Sequence, residues 1–218
     1  MLPNFLIIGA TKGGTTSIHH YLNQHPEVFM CPSKETNFFA QDSALCLLDN
    51  TIKDQAEYEK LFEKAGDAKA IGETSPAYLC YVPNAAEAIH SLVPKMNLIV
   101  ILRDPAERAY SHFLMRRRQK KEFRESFEQC IAEDDIDPAR SYKSRGFYGE
   151  QLEEYLKLFP RKQIQIFLYE DFVADPVSVM QEICAFLEVD PDFEPDMKER
   201  YNANPPSDPL SDDMRKRL

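Results

Sequence analysis

A glycine-rich segment near the start of the chain has the residue types needed to hold a phosphate. It combines one lysine, two glycines and three hydroxyl side chains: Lys12, Gly13, Gly14, Thr15, Thr16 and Ser17. The segment follows an apolar run at Phe5 to Ile8 and precedes a helix-like pattern. Backbone N–H groups and the helix dipole favour an anion where a strand turns into a helix. We therefore interpret the segment as a phosphate-binding loop, because a plain strand-to-helix turn needs fewer of these groups.

The order of residues in this loop differs from the Walker A pattern. Walker A places its lysine directly before the Ser or Thr that ligates magnesium. Here Lys12 comes before the glycine pair. Such a loop suits transfer chemistry in which a lysine, and not Mg²⁺, neutralises the leaving oxygen. The sequence thus predicts nucleotide chemistry with no metal ligands and no metal requirement.

A second cationic element follows the apolar run from Asn97 to Leu102. Arg103 comes directly after that run, and Ser111 lies about two turns into the next helical pattern. In open α/β sheets, ligands bind outside the carboxyl ends of the strands. An arginine fork and a hydroxyl can together hold a second phosphate. An ion pair at the start of the helix explains Arg103 about as well, so both interpretations stay open at this point.

The elements that position these residues alternate between strands and helices. Strand-like runs cover Phe5 to Ile8, Asn97 to Leu102 and Gln163 to Tyr169, and the first two are apolar enough for strands covered on both faces. This alternation predicts an α/β fold with a mainly parallel sheet in one domain over residues 1–218. We expect an irregular tail over 190–218, which would also fit a truncated C-terminus. Helix-like patterns cover 17–23, 55–64, 85–92, 105–121, 148–159 and 176–187.

Composition excludes several other classes of protein. The 218 residues carry 26 Lys and Arg against 36 Asp and Glu, a net charge of −10, which argues against a nucleic-acid binder. No apolar run approaches the roughly 18–20 residues of a membrane span. Five scattered cysteines without a C-x-x-C pair favour reduced thiols, and the apolar start lacks a basic leader. A cytoplasmic location is therefore expected.

Taken together, the motifs resemble those of sulfotransferases that use 3′-phosphoadenosine 5′-phosphosulfate (PAPS), closest to the heparan-sulfate-type and related bacterial branch. The resemblance covers residues 5 to about 190 and implies a P-loop-like three-layer fold, with a central, mainly parallel sheet flanked by helices. Besides the glycine-rich loop and the Arg103–Ser111 segment, it is carried by the segments Lys34–Phe39, Gly72–Tyr78, Ser144–Tyr148, Phe159–Pro160 and Tyr169–Phe172.

The resemblance also implies roles for individual residues. Lys12 to Ser17 would wrap the 5′-phosphosulfate, with Lys12 on the bridging oxygen. Arg103 and Ser111 would hold the 3′-phosphate, which stays on the product 3′-phosphoadenosine 5′-phosphate (PAP). The nucleotide's enclosure would be completed by Arg145 and Gly146. The base that deprotonates the acceptor would be Glu35.

Three questions stay open from the sequence. The base could instead be His112, His19 or His20. Thr74 stands where several relatives of the branch have a lysine, so a contact made by that lysine is in doubt. The acceptor, a hydroxyl or an amine of a small molecule or a glycan, is undefined, although the cationic run from Arg116 to Lys121 would suit an anionic one. Two rival functions are a small-molecule kinase that uses ATP and a non-catalytic nucleotide-binding module.

Overall fold

A parallel sheet forms the centre of the molecule. The computed structural model describes residues 1–41, 51–134, 141–198, 201 and 209–217. Within them five strands pair in the order β2-β3-β1-β4-β5, all parallel. The predicted α/β class is therefore confirmed. The strands are β1 (Phe5–Gly9), β2 (Val28–Met30), β3 (Ala70–Thr74), β4 (Asn97–Leu102) and β5 (Ile164–Leu168).

The helices agree closely with the six predicted patterns. Each of those patterns contains a helix, although three further helices lie outside them or inside the expected tail. The helices of the described residues are α1 (Thr15–Leu22), α2 (Gln55–Lys60), α3 (Asn84–Leu92), α4 (Pro105–Arg118), α5 (Phe127–Ala132), α6 (Tyr148–Leu158), α7 (Tyr169–Ala174), α8 (Pro176–Phe186) and α9 (Asp212–Arg217).

The two faces of the sheet carry separate cores, which creates three layers. Side chains alternate along a strand, so Leu6 and Ile8 of β1 face one core while Phe5 and Ile7 face the other. The first core includes residues of α3 and α6, and the second includes residues of α1 and α8. All five residues of β1 are buried. Burial on both faces explains why β1 and its neighbour β4 read as unbroken apolar runs.

The sequence patterns do not predict β2 and β3, because the local signals of these two strands are weak. β2 has only three residues, and β3 contains Gly72 and Glu73, which strands disfavour. Gly72 is nevertheless required, because a Cβ there would overlap the Phe5 ring of the neighbouring strand. Tertiary packing, and not local preference, therefore determines β3.

The chain reverses its direction of travel across the sheet at β1. From β1 it runs to β2 and β3 on one side, and then to β4 and β5 on the other. Ligands of open parallel sheets bind outside the carboxyl ends of the strands at such a switch point. Gly9, Thr74 and Leu102 end the three strands that meet there.

Other expectations concern the tail, the thiols and the membrane. In the expected irregular tail, residues 191–198 are without helix or strand, but α9 is helical and packs Met214 into a third, smaller core. Four cysteines are buried free thiols, and Cys46 lies outside the described residues. No helix in the described ranges is both long and apolar enough to cross a bilayer.

Candidate functional site

The glycine-rich loop joins β1 to α1 with a backbone that only small or strained residues adopt. Lys12 and Gly14 have positive φ values of 71° and 97°. The Gly13 amide donates to the Ala10 carbonyl at 2.8 Å, and a Cβ on Gly13 would overlap the Ile101 carbonyl oxygen. Thr15, Thr16 and Ser17 then form the first turn of α1. The loop thus lies tightly against β4, with its amides at a helix N-terminus that favours an anion.

Lys12 lies in a cationic environment. Burial, together with the charges of Arg118 and Arg103, lowers the pKa of Lys12 to about 8, while Glu35 acts in the opposite direction. Its ammonium contacts the Met115 sulfur at 3.7 Å, with no carboxylate bonded to it among the described residues. A partly desolvated ammonium beside other cations favours an anionic ligand.

Lys34 connects the phosphate loop to the segment that carries Glu35. Its ammonium donates to the Thr16 hydroxyl at 2.6 Å, and burial lowers its pKa. Within the described residues no ion pair joins it to Glu35. The resemblance included Lys34 only as part of a motif, and the structure adds its position beside the loop.

Arg103 lies directly after β4, at the carboxyl edge of the sheet. Its guanidinium is 4.7 Å from the centre of the Tyr169 ring and 3.4 Å from the Glu107 carboxylate. The helix-start ion pair considered from the sequence is therefore present, in the first turn of α4. Asp104 caps that helix by accepting from the Glu107 amide at 2.8 Å. Tyr169 also lies 3.1 Å from where a Gly14 Cβ would be, so it borders both anion-binding elements.

Ser111 lies within α4, and the segment with Arg145 packs against the start of that helix. Both side chains are buried, and Arg145 donates to the Thr11 hydroxyl at 3.2 Å. Gly146 packs against the first turn of α4, where its Cβ would lie 3.1 Å from that of Pro105. Thr11 was not predicted, because a lone threonine before the lysine carries no signal of its own.

Glu35 reaches the site from the β3 side of β1. Its side chain is exposed, its φ is +58°, and its amide donates to the Thr74 carbonyl at 2.8 Å. Thr74 itself is buried, and its hydroxyl bonds the His19 ring at 3.0 Å. The position at which several relatives have a lysine is thus occupied here by an internal contact between β3 and α1.

The three rival histidines differ in exposure. His19 is buried, and burial with the Lys34 charge nearby lowers its pKa to about 3. Burial and the charges of Arg145 and Arg108 hold the pKa of His112 well below its usual value. Both rings are therefore neutral near pH 7. His20 stacks on Tyr201, with ring centres 4.0 Å apart.

The cationic run at the end of α4 has two parts. Arg116 and Arg117 donate to the carbonyls of Lys121 and Arg124, so they fold the following loop back onto the helix. Arg118 instead lies close enough to Lys12 to lower its pKa. The sequence does not predict this effect of Arg118 on Lys12, because nothing in the cationic run distinguishes one arginine from the next.

Comparisons of the sequence and the structure with known proteins both find sulfotransferases. The sequence profile of the sulfotransferase domain matches residues 2–205. The chain is 32% identical to a sulfotransferase from Alicyclobacillus acidocaldarius, whose crystal structure it matches with a TM-score of 0.87 over 99% of this chain and 89% of that one. A mouse sulfotransferase complexed with PAP shares the fold, with a TM-score of 0.57 at 18% identity over 86% of this chain and 59% of that one.

Curated relatives are longer proteins. Mouse heparan sulfate glucosamine 3-O-sulfotransferase 5 is 29% identical over 87% of this chain and 54% of its own length. Human bifunctional heparan sulfate N-deacetylase/N-sulfotransferase 3 is 30% identical over 88% of this chain and 23% of its own length. The chain thus spans about half of the first protein and under a quarter of the second. The family profile, which covers nearly the whole chain, shows that this protein belongs to the sulfotransferase family.

Proposed function

We propose that this protein transfers a sulfuryl group from PAPS to a hydroxyl or amine acceptor. The observation that carries the proposal is the partly desolvated Lys12, which lies on a glycine-rich loop among Arg103, Lys34 and Arg118. On the other side of β1, the exposed Glu35 carboxylate lies close enough to act on the same lysine. A loop suited to an anion and an exposed carboxylate at one sheet edge are the two parts that this reaction needs.

The residues fit PAPS as a ligand. Gly13 leaves no room for a Cβ between the loop and β4, and the loop leads into the N-terminus of α1, where a helix favours a phosphate. Arg103 and Arg145 lie on elements that pack against each other at the start of α4. They would hold the 3′-phosphate together with Ser111. The mouse neighbour complexed with PAP supports this choice of nucleotide.

Each residue then has a defined chemical task. When bound, PAPS supplies the sulfuryl group and a phosphate leaving group. Lys12 would neutralise the negative charge that develops on the bridging oxygen. Glu35 would accept the acceptor's proton as the new bond to sulfur forms. No residue in this scheme requires a metal ion.

The end of α4 carries exposed cations, and the loop that follows it carries an exposed aromatic ring. Arg118, Lys120 and Lys121 are exposed near the end of α4, and Phe123, in the loop that follows, is 87% exposed. An anionic glycan would suit this combination, because its charges can meet the cations while a sugar ring packs on Phe123. A small anionic molecule is the alternative acceptor that we propose.

The buried free thiols support a reducing compartment such as the cytoplasm.

Calorimetry separates this proposal from the kinase, and a variant separates it from the non-catalytic module. PAP should bind the wild-type protein more tightly than ATP, without Mg²⁺. Glu35→Gln should keep PAP affinity within about twofold and lose sulfuryl transfer by about 100-fold or more. Tighter binding of ATP, or no binding of either nucleotide, would contradict the PAPS assignment. Full transfer by Glu35→Gln would remove Glu35 as the base.

A further inference from the structure

A buried carboxylate lies directly behind the segment that carries Glu35. Glu73 of β3 is 0% exposed, and burial raises its pKa to about 7. The Ser75 hydroxyl donates to one oxygen, and the Tyr58 and Tyr78 hydroxyls donate to the other at 3.2 and 3.1 Å, while the Thr36 hydroxyl also hydrogen-bonds the carboxylate. Burying a carboxylate costs free energy unless hydrogen bonds compensate. A fully buried Glu73 therefore indicates that the cluster has a structural or functional role.

The hydroxyls of Ser75 and Tyr78 also accept from the segment 35–39. The Asn37 amide donates to the Ser75 hydroxyl at 3.2 Å, and the Phe39 amide donates to the Tyr78 hydroxyl at 3.4 Å. A hydroxyl has one proton to donate. Because Ser75 and Tyr78 donate that proton to Glu73, their oxygen lone pairs face the two amides.

The segment needs this support because its backbone is strained. Glu35 and Asn37 have φ values of +58° and +51°, a region that non-glycine residues adopt at a cost. The Thr74 carbonyl accepts from the Glu35 amide, but Asn37 and Phe39 depend on the two hydroxyls. Without a fixed hydroxyl orientation, the segment would lose two of its contacts with β3 and the turn that follows it.

We propose that Glu73 is a positioning residue that holds Glu35 in place through Ser75 and Tyr78. Its carboxylate orients the two hydroxyls, the hydroxyls anchor the amides of Asn37 and Phe39, and those amides fix the backbone that presents Glu35. This role rests on the proposed function, in which Glu35 accepts the acceptor's proton. Glu73 itself touches neither nucleotide nor acceptor, since it is fully buried.

The two tyrosines provide a matched pair of variants. Both rings are 0% exposed, and both hydroxyls bond the same oxygen of Glu73. Tyr58 contacts the segment only through its ring, which stacks on Phe38 at 4.1 Å and is kept in Tyr58→Phe. Tyr78→Phe removes a hydroxyl that also accepts from Phe39. General loss of stability should therefore be similar in the two variants, whereas loss of positioning should appear only in Tyr78→Phe.

The experiment measures transfer, PAP affinity and amide hydrogen exchange at about pH 8, above the pKa of Glu73. Glu73→Gln and Tyr78→Phe should lower kcat about tenfold or more with PAP affinity unchanged. Tyr58→Phe should stay within about twofold of the wild type. In Glu73→Gln the Asn37 and Phe39 amides should exchange faster, although neither touches residue 73.

The outcomes that would overturn the proposal are distinct from failure of the proposed function. A folded Glu73→Gln with normal kcat and normal exchange of both amides would refute it, as would equal losses of kcat in the two tyrosine variants. If Glu73→Gln does not fold, the tyrosine pair decides. Absence of PAP binding by the wild type would instead refute the proposed function, and the exchange measurement would still test the link from Glu73 to the segment.

Discussion

The charge of Lys12 depends on the phosphate it is proposed to bind. In the free protein, burial and neighbouring cations lower the pKa of Lys12 to about 8. A bound phosphate favours the charged form and raises that pKa. Between about pH 8 and the ordinary lysine value, the complex therefore holds more protons than the free protein. Nucleotide affinity should accordingly fall as the pH rises through about 8.

This difference predicts proton uptake on binding. At about pH 8.5, the calorimetric enthalpy of PAP binding should change with the ionisation enthalpy of the buffer, because the buffer supplies the proton. Lys12→Gln, which keeps most of the side chain's length, should bind more weakly and show no buffer dependence. A wild-type enthalpy that is identical in two such buffers would contradict the assignment of Lys12 to the phosphate.

At the scale of residues, the sequence predicts groups that act through type and spacing. The loop from Lys12 to Ser17 and the Arg103–Ser111 pair are predicted in this way, and both the loop and Arg103 follow strands that end at the same sheet edge. Residues that act through tertiary contacts gave no such signal. Glu73 appeared only as part of a motif, and its proposed role depends on contacts of Ser75 and Tyr78 with amides 38 and 39 positions earlier in the chain.

At the scale of elements, the fold keeps the phosphate loop in close contact with β4. Gly13 is the contact point, because any Cβ there would overlap the backbone carbonyl of Ile101. A backbone atom cannot move aside as a flexible side chain can. The loop must therefore shift away from the sheet if Gly13 is replaced.

Gly13→Ala should consequently destabilise the protein by about 1–3 kcal/mol and weaken PAP binding. Gly149→Ala is the control, since nothing lies within 4 Å of a Cβ at that position in α6. It should leave stability unchanged or raise it by up to about 1 kcal/mol. Urea unfolding measures both. A Gly13→Ala variant as stable as the wild type would show that the loop has more room than the structure indicates.

Elements with strong local patterns were predictable, and those fixed by packing were not. β1 and β4 are long apolar runs, and α4 begins with an aspartate cap followed by Pro105 at its first position. β3 carries a glycine and a carboxylate, and it pairs with β1 and β2 while the Phe5 ring fills the place of the missing side chain. The base-carrying segment depends on β3, so its geometry could not be derived from the sequence.

At the scale of the whole molecule, an acidic protein is proposed to bind a strongly anionic nucleotide. The net charge is −10, yet the cations Lys12, Arg103 and Arg145 lie together at one edge of the sheet. Attraction must therefore be local, because exposed charges farther away than about 10 Å are largely screened at ordinary salt. Binding should then depend on how many phosphates the ligand presents to these cations.

Thermal unfolding tests this dependence. PAP at about 100 times its dissociation constant should stabilise the fold by about 2.7 kcal/mol, a rise of roughly 5–10 °C in Tm for a chain of this size. Adenosine 5′-phosphate at the same concentration should raise Tm by much less, because it offers no 3′-phosphate to Arg103 and Arg145. Equal shifts with the two nucleotides would contradict the second phosphate site.

The central position of β1 has a consequence for how such a protein diverges in evolution. The nucleotide contacts proposed here come largely from the β4 side of that strand, and the segment with Glu35 comes from the β3 side. Mutations in the segment with Glu35, beside which the acceptor's reacting group would lie, can therefore accumulate on one side while selection preserves donor recognition on the other. A single scaffold divided in this way can acquire new acceptors in small, separately tolerated steps.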